Sequence, residues 1–517
     1  MPFSERLTVL ALSVLLCACG SDITAQSTLS PVDTGPLAVE PGTGVHYALT
    51  PWATVHRDGS NSDYVPLSPH AVVEPWWTAL DGASLFVGPI FGPEGNIYVP
   101  SGRGKGTSHL HAFSADGRLL WETPAMQSMA DFDYAAVVSA PIVDRDGHVY
   151  ANDRNQLWSY TAQGEQRWVT DLSAHGISGF FVTPIFTHEG WVGGVSTDGK
   201  VAFFARDTGE LALPVLALPS SQGLPSATLP PGVWQGGLVA QEFHQELWDL
   251  LFGRNMAVAN TPAVHPESGR IFITAAGAEP TQGVLYGIDT GGQGLTIAFT
   301  ASMGSGSGTS PAISPDGRLI YAIDDAGLMV ALDTKSGERV WEAADTMGQA
   351  SPSIGPDGTV YSFNGTAGTI VAIDGASGAM KWRRDYHQEA ERYLGWRPLL
   401  QRVATVDGLI TVTDSGLWTF LDLNYQISAG GQSFPQPRKV LVAQIDPSSG
   451  EVLGRFESRD TSGAFVVPDA QGNLYLTLSA TSTSIAHYGV NPQLPSFLRT
   501  SLHPVGGLVA LRPAMGE

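Results

Sequence analysis

Several short stretches carry residue types that do chemistry, and spacing decides what each is worth. Asp144-Arg145-Asp146-Gly147 has the carboxylate alternation of a calcium loop. It falls where other copies of the same sequence phrase place a hairpin turn, so it reads as a turn and no metal site is assigned. His109 and His111 stand two apart, which in a strand turns both to one side, but no third ligand accompanies them. Met303-Gly304-Ser305-Gly306-Ser307-Gly308 looks like a phosphate cradle, yet no Lys-Ser/Thr follows and no helix begins, so it reads as an inter-blade turn. There is no Gly-x-Ser-x-Gly elbow and no paired-carboxylate setting. No catalytic residue is assigned, and cofactor-binding residues stay unknown.

The two cysteines, Cys17 and Cys19, both lie in a segment that belongs to targeting and not to the core. Arg6 precedes an apolar run from Leu7 to Leu16 that is too short to span a bilayer as a mature helix. The run ends in Leu16-Cys17-Ala18-Cys19, which resembles a bacterial lipobox. The expectation is a signal peptide over 1–18, lipidation of Cys19, and a tether over 19–50 rich in Ser, Thr, Pro and Gly, reaching on the order of 30 Å. Ordinary cleavage nearby is the alternative. The body from 51 to 517 then has no disulfide, zinc-thiolate site or cysteine nucleophile, and its stability must come from packing. With 27 basic against 49 acidic residues and a net charge of −22, nothing invites nucleic acid or broad adhesion to an anionic membrane. Membrane contact is expected through the lipid, with at most a local patch beside it.

One phrase keeps returning along the body. It reads Ser351-Pro352-Ser353-Ile354, Pro356-Asp357-Gly358-Thr359-Val360-Tyr361, Gly368-Thr369-Ile370-Val371-Ala372-Ile373-Asp374, Ser377-Gly378 and Trp382. The copy before it runs from Ser310-Pro311 through Asp316-Gly317, Tyr321 and Ser336-Gly337 to Trp341. Looser copies begin at Gly88-Pro89, Ala140-Pro141, Thr183-Pro184, Thr261-Pro262, Arg397-Pro398 and near Gly463. A period of roughly forty to fifty residues is that of a four-stranded propeller blade. Asp-Gly pairs supply the positive φ of tight hairpins, and alternating residues give each strand two faces. Such a sheet buries both faces only when blades stack around an axis. Trp121, Trp168, Trp341 and Trp382 recur at equivalent places and are expected to fill the gaps between blades.

Closure leaves its own trace. Gly507-Leu508-Val509-Ala510-Leu511 looks like a third strand lacking its fourth, and Val73 to Leu80 looks like the end of a blade lacking its beginning. Pairing the two would latch the ring. The expected fold is all-β: one eight-bladed propeller of four-stranded antiparallel sheets, closed by N- and C-terminal strands, with a short helical insertion. Seven blades is the alternative if the irregular copy from Arg397 to Ser458, or the last one, is not a blade.

Ser-Pro, Asp-Gly-x-x-Tyr, Gly-x-Leu-x-Ala-x-Asp, Ser-Gly and Trp together resemble the pyrroloquinoline-quinone-type propeller repeat. The stretch from Trp52 to Gly59 is similar to the aromatic and basic lead-in that often precedes such repeats. Two function classes share that repeat, and the fold alone does not choose between them. In quinoprotein dehydrogenases the resemblance implies a quinone in the funnel, a calcium ion and an aspartate base, with adjacent cysteines in many members. The body has no cysteine, and no acidic and amide cluster matches those motifs. The other class is the propeller lipoprotein that helps assemble outer-membrane β-barrels, which is not an enzyme.

Departures from the repeat are where recognition is expected. The largest insertion, about 216–260, contains an amphipathic stretch from Leu238 to Phe252. It reads as a helix packed over the propeller end, or as a cap or partner groove with Phe243, Trp248 and Phe252 as anchors. Two further excursions, His387 to Trp396 and the Gly-, Ser-, Gln- and Pro-rich Asn424 to Lys439, are expected to rim one face. The resulting expectation is an outer-membrane lipoprotein facing periplasm or cell surface, binding a protein or envelope partner as a scaffold, with no cofactor. A dehydrogenase using pyrroloquinoline quinone and calcium is the alternative. Gly20 after Cys19 lacks the aspartate of the inner-membrane retention signal.

Overall fold

The computed structural model describes residues 46–514 apart from 103–107, 124–138, 154–155, 221–228, 230–232, 235–237, 240, 242–243, 252–255, 280, 292–293, 305, 307, 344–349, 398–399, 430–431 and 463. Cys17, Cys19, the targeting segment, Phe243 and Phe252 lie outside the described residues, as does the side chain of His109.

Eight antiparallel sheets form the ring of an eight-bladed propeller. The seven-blade alternative fails because the irregular copy is a sheet of its own, and so is the last one. A typical blade is the sixth: Ser353–Ile354 innermost, then Thr359–Asn364, Thr369–Asp374 and Met380–Asp385. Its three inner strands are buried while the outer one alternates, as the sequence pattern requires. Turn glycines carry the positive φ expected of them, +78° at Gly358.

The tryptophans explain how blades join. Each outer-strand indole of one blade lies over the glycine in the turn between the third and fourth strands of the next. A Cβ on Gly164 would lie 2.6 Å from Trp121, on Gly209 2.7 Å from Trp168, on Gly378 2.8 Å from Trp341 and on Gly450 2.8 Å from Trp382. The indole N–H donates to a carbonyl of the same turn: Trp121 to Ala162 and Trp168 to Arg206 at 2.8 Å, Trp341 to Gly375 and Trp382 to Pro447 at 2.8 Å. The Ser-Gly and Trp of the repeat are thus the two halves of one joint. At the fourth blade Phe299 covers Gly337 in the same manner, without the donor.

The terminal latch uses the same joint. Val73–Ala79 pairs antiparallel with Gly507–Pro513, Thr78 opposite Val509. From this borrowed outer strand Trp77 lies over Gly117 and donates to the Ala115 carbonyl at 2.9 Å. The seam between the last blade and the first is therefore chemically a seam like the others.

The seventh blade departs most from its neighbours. Its strands Gln401–Thr413, Gly416–Ala429 and Gln432–Ile445 have 13, 14 and 14 residues. They run about eight residues beyond the six of the sixth blade's inner strands, roughly 25 Å of extra strand. Arg397-Pro398 consequently does not begin the short inner strand. The equivalent position is Thr411-Val412, and Tyr64–Val65 pairs in parallel with Val412 and Thr413 on the axial side. Within Asn424 to Lys439, turn-rich by composition, the described residues are paired β-structure, with Pro435 and Pro437 opposite Gln426 and Asn424. It forms an arm rising from the same face as the helix His387–Tyr393, since Arg402 donates to the Glu391 carbonyl at 3.3 Å.

Candidate functional site

The axis of a propeller is where blades converge, and here the chain's own lead-in fills one end of it. Residues 46–65 cross the ring and meet blade after blade. The Trp52 carbonyl accepts from Phe91, Ala53 from Val143, Gly59 from Val264, Ser60 from Ile313, Ser62 from Ile354 and Asp63 from Val412. Tyr47 Oη accepts from Phe186, completing the third blade. Trp52 and His56 pack on Phe465 of the eighth, with ring centroids 5.1 and 5.4 Å apart. The donor in each of the first six blades is the second residue of the innermost strand. A strand edge that would otherwise present unpaired N–H groups is thereby satisfied.

The lead-in holds this path with strained residues and local carboxylates. Arg57, Asn61 and Asp63 all have φ between 56° and 71°, conformations that cost a non-glycine residue of order 1 kcal/mol each. Asp58 fixes the turn, accepting from Arg57 at 2.7 Å, Ser60 at 2.9 Å and the Ser62 hydroxyl at 2.7 Å. Asn61 Nδ2 donates to the carbonyls of Thr261 and Pro311.

Above the lead-in lies a ring of hydroxyls, which gives the recurrent Ser-Pro its role. Ser310 Oγ accepts the backbone N–H of Thr261 at 3.0 Å, Ser351 Oγ accepts that of Ser310 at 2.9 Å, and Thr261 Oγ1 donates to Thr183 Oγ1 at 3.1 Å. His56 joins in: Nδ1 lies 2.8 Å from Asp63 and Nε2 2.9 Å from Ser310 Oγ. Ser353 donates to the other Asp63 oxygen at 2.9 Å. Burial raises the Asp63 carboxyl above its ordinary pKa, and His56 opposes that. The order Asp-His-Ser has the outline of a nucleophile relay. Ser310, 4% exposed, already accepts a blade's backbone N–H, and the relay ties the lead-in to the ring.

The other end of the axis is covered by an apolar cluster. Phe180, Trp234, Leu238, Val239, Leu247, Trp248 and Ala480 are buried together, with Phe86, Val182, Met256 and Ile485 against them. Its members come from the approaches to the first and third blades, the insertion between the third and fourth, and the eighth. The cluster therefore ties loops beside the eighth and first blades to loops beside the third. The expected helix is His244–Leu251, shorter than the amphipathic stretch, and Trp248 faces inward at 5% exposure. Leu238 and Val239 are buried in a turn ahead of it. The insertion also starts later than expected, because Leu216–Ala217 is the outer strand of the third blade.

Three carboxylates between the seventh and eighth blades escaped the sequence reading. Asp422 is buried, and its Oδ1 has no partner. Burial and the neighbouring Asp407 push its carboxyl well above the ordinary range. Asp407, deep in the wall yet partly accessible, is pushed up to about 7 by burial and then by Asp460. No basic side chain acts on either. Asp460 serves the backbone, accepting from Thr461 at 2.8 Å and from Val505 and Gly506 at 2.5 and 2.8 Å. What the Asp407–Asp422 pair can do is hold a proton near neutral pH. Neither residue sits in the recurrent phrase; the signal was a charge inside an apolar strand, as in Leu421-Asp422-Leu423.

Ligand atoms of Asp144, Asp146 and His148 lie within 4.8 Å of one another. Asp144, however, accepts the backbone N–H groups of Asp146 and His148 and the hydroxyl of Tyr150 at 2.8–3.0 Å. Asp469 makes the same set with Gln471, Asn473 and Tyr475. This is the hairpin turn that the sequence implies. His111 is bonded to Ser101 Oγ at 2.7 Å.

Similarity to solved structures follows the fold. A europium-containing methanol dehydrogenase superposes with a TM-score of 0.57 at 12% identity, covering 89% of this chain and 97% of that one. The quinohemoprotein alcohol dehydrogenase from Comamonas testosteroni gives 0.54 at 12% identity, over 90% and 82%. BamB from Moraxella catarrhalis gives 0.46 at 12% identity over 85% and 99%. No curated protein matches the chain by sequence. No helix among the described residues is long and apolar enough to cross a membrane. A family model described as outer membrane protein assembly factor BamB matches residues 106–244 and 233–394, more than half of the chain. The matched residues include copies of the repeat whose Ser-Pro, Ser-Gly and Trp join the blades, and the chain belongs to this BamB-like family of PQQ-type propellers.

Proposed function

We propose that the protein is a lipid-anchored outer-membrane propeller, facing the periplasm or the cell surface, that binds a protein or envelope partner as a scaffold and catalyses no reaction. The observation that carries this reading is the axis closed at both ends by the chain itself, the lead-in from 46 to 65 at one and the Trp234–Trp248 cluster at the other. A propeller so filled offers partners its outer faces and loops. The family's description, an outer membrane assembly factor, favours an envelope setting, and outer-membrane protein assembly is the narrower version.

The alternative is a quinoprotein-type dehydrogenase with pyrroloquinoline quinone and calcium. That quinone carries three carboxylates, which call for cations. On the axis Arg57 is paired with Asp58 at 2.7 Å, and the wall offers Asp407, Asp422 and Asp460 with no basic group acting on the first two. The residues present do not fit the group. One feature favours the alternative: a carboxyl held near neutrality, as in Asp407, has the acidity that a general base needs.

The test is an absorption spectrum and native mass of the purified protein with added quinone and Ca²⁺, together with dye-linked alcohol oxidation. Neither binding nor oxidation is expected; stoichiometric quinone with turnover would overturn the proposal. Crosslinking in cells then separates the versions: recovery of barrel-assembly components supports the assembly role, and recovery of unrelated partners rejects it.

A further inference from the structure

The arm of the seventh blade ends in a surface unlike the rest of this acidic protein. Trp396 is 75% exposed and Phe497 66%. They are neighbours, because Arg397 donates to the Phe497 carbonyl at 3.1 Å. The Tyr425 ring between them is flanked by two guanidiniums, Arg397 at 5.7 Å and Arg438 at 5.3 Å from its centroid. Arg438 also donates to the carbonyls of Leu498 and Arg499, and Arg499 to that of Leu494 at 2.9 Å.

These three arginines lack what their neighbours have. Arg392 and Arg455 pair with Glu389, Arg402 with Glu391 and Lys439 with Glu457. Arg397, Arg438 and Arg499 meet only carbonyls and an aromatic ring among the described residues, and Arg438 Nε has no partner. Like charge crowds them: Arg397 adds to burial in lowering the proton affinity of Arg438. In a chain of net charge −22, three uncompensated guanidiniums beside two exposed aromatics ask for an anion with an apolar companion.

We propose that this patch is a contact site for an anionic phospholipid surface, with the exposed Arg397 and Arg499 on headgroup phosphates, Arg438 adding its charge behind them, and Trp396 and Phe497 in the interfacial layer. Guanidinium matches phosphate oxygens in pairs, and tryptophan favours the headgroup level. Side chains so exposed stand out from the surface and do not line a groove for a peptide. The acidic body does not oppose the contact. Tyr425 lies four residues past the ring-level part of its strand, about 14 Å out, farther than a Debye length of about 10 Å at 0.1 M salt. The surface is separate from the axis, so it stands or falls independently of the partner reading.

The test uses the full chain with Cys19→Ser, so that no acyl chain on that residue carries the binding. Sedimentation with vesicles of phosphatidylglycerol and phosphatidylcholine at 3:7, on the order of one anionic lipid in three, is compared with pure phosphatidylcholine. Expected are binding to the anionic vesicles alone, loss by 0.5 M salt, and about fivefold weakening or more in Trp396→Ala/Phe497→Ala and in Arg397→Gln. Arg397→Lys should retain most of the binding. Both sites are exposed, so folding is checked by an unchanged melting temperature. Absence of vesicle binding, or binding that these substitutions leave unchanged, overturns the proposal. Patch-dependent capture of polyglutamate without vesicle binding also overturns it and reassigns the surface to an acidic protein.

Discussion

Replacing Asp407 by asparagine should stabilise the protein, and only at high pH. In the native ring Asp407 and Asp422 face each other without a cation, and Asp407 is held at about 7 instead of 3.8. A carboxyl whose folded pKa lies above its unfolded one binds its proton more tightly when folded. The stability linked to that proton is therefore fully present below about pH 4 and is lost as pH rises through about 7. From 3.8 to about 7 the change amounts to at most roughly 4 kcal/mol, at about 1.4 kcal/mol per tenfold. Partial solvent access at Asp407 brings this to about 2 kcal/mol. In Asp407→Asn the titrating carboxyl is gone, the amide donates to Asp422, whose own carboxyl Asp407 no longer pushes up, and the loss does not occur. For a body of about 470 residues the unfolding entropy is about 1 kcal/mol/K, so melting should rise by about 2–4 °C at pH 8.5 and hardly move at pH 5. Scanning fluorimetry at one scan rate, from pH 4.5 to 8.5, reads this directly. Equal slopes for both proteins, or a lower melting temperature in the variant at every pH, would refute the idea of a shared proton.

Ser310→Ala removes the acceptor for Thr261 N–H and the partner of His56 together; a loss of about 2–3 kcal/mol is expected, read as a fall in melting temperature of a few degrees. Trp77→Ala and Trp382→Ala remove chemically equal joints, each costing about 3 kcal/mol. Limited proteolysis should nevertheless differ, with early cleavage near residues 73–79 only in the first, because its strand is held by the latch alone. Gly117→Ala places a Cβ 2.5 Å from the Trp77 ring at a φ of +85°, and a drop of at least about 2 kcal/mol should accompany it, whereas Gly95→Ala, with nothing within 4 Å, should cost about 1 from φ alone. Trp248→Ala in the cap should lower melting by a few degrees and increase amide exchange in 244–251, leaving exchange in the sixth blade unchanged.

The parts of the fold that recur were legible because each recurrence repeats one physical joint. Asp357-Gly358 could be read as a hairpin, Trp382 as an inter-blade filler and Val73 to Leu80 as a missing fourth strand, and the latch followed from two incomplete blades. What lies outside the phrase was read less well. Pro435 and Pro437 pointed to a loop, but a hairpin braced by neighbouring helices tolerates them where no ladder N–H is needed. The axial residues were hidden for a different reason. His56, Asp63 and Ser310 lie up to 254 residues apart, and only ring closure brings them together. Asp407 and Asp422 are ordinary single letters until two strands set them side by side.

The path of the lead-in has a consequence for how the chain reaches its native state during synthesis. Residues 46–65 are among the first to emerge, yet their carbonyls find donors in segments up to Val412 and their aromatics lean on Phe465. The strand that completes the final blade is likewise waiting for Gly507–Pro513. No early portion can finish by itself, so a nascent polypeptide released before its last dozen residues would keep its beginning, middle and end all unresolved at once. Such a molecule is all or nothing with respect to length, and a cell that clears unfinished chains has an unambiguous substrate to recognise.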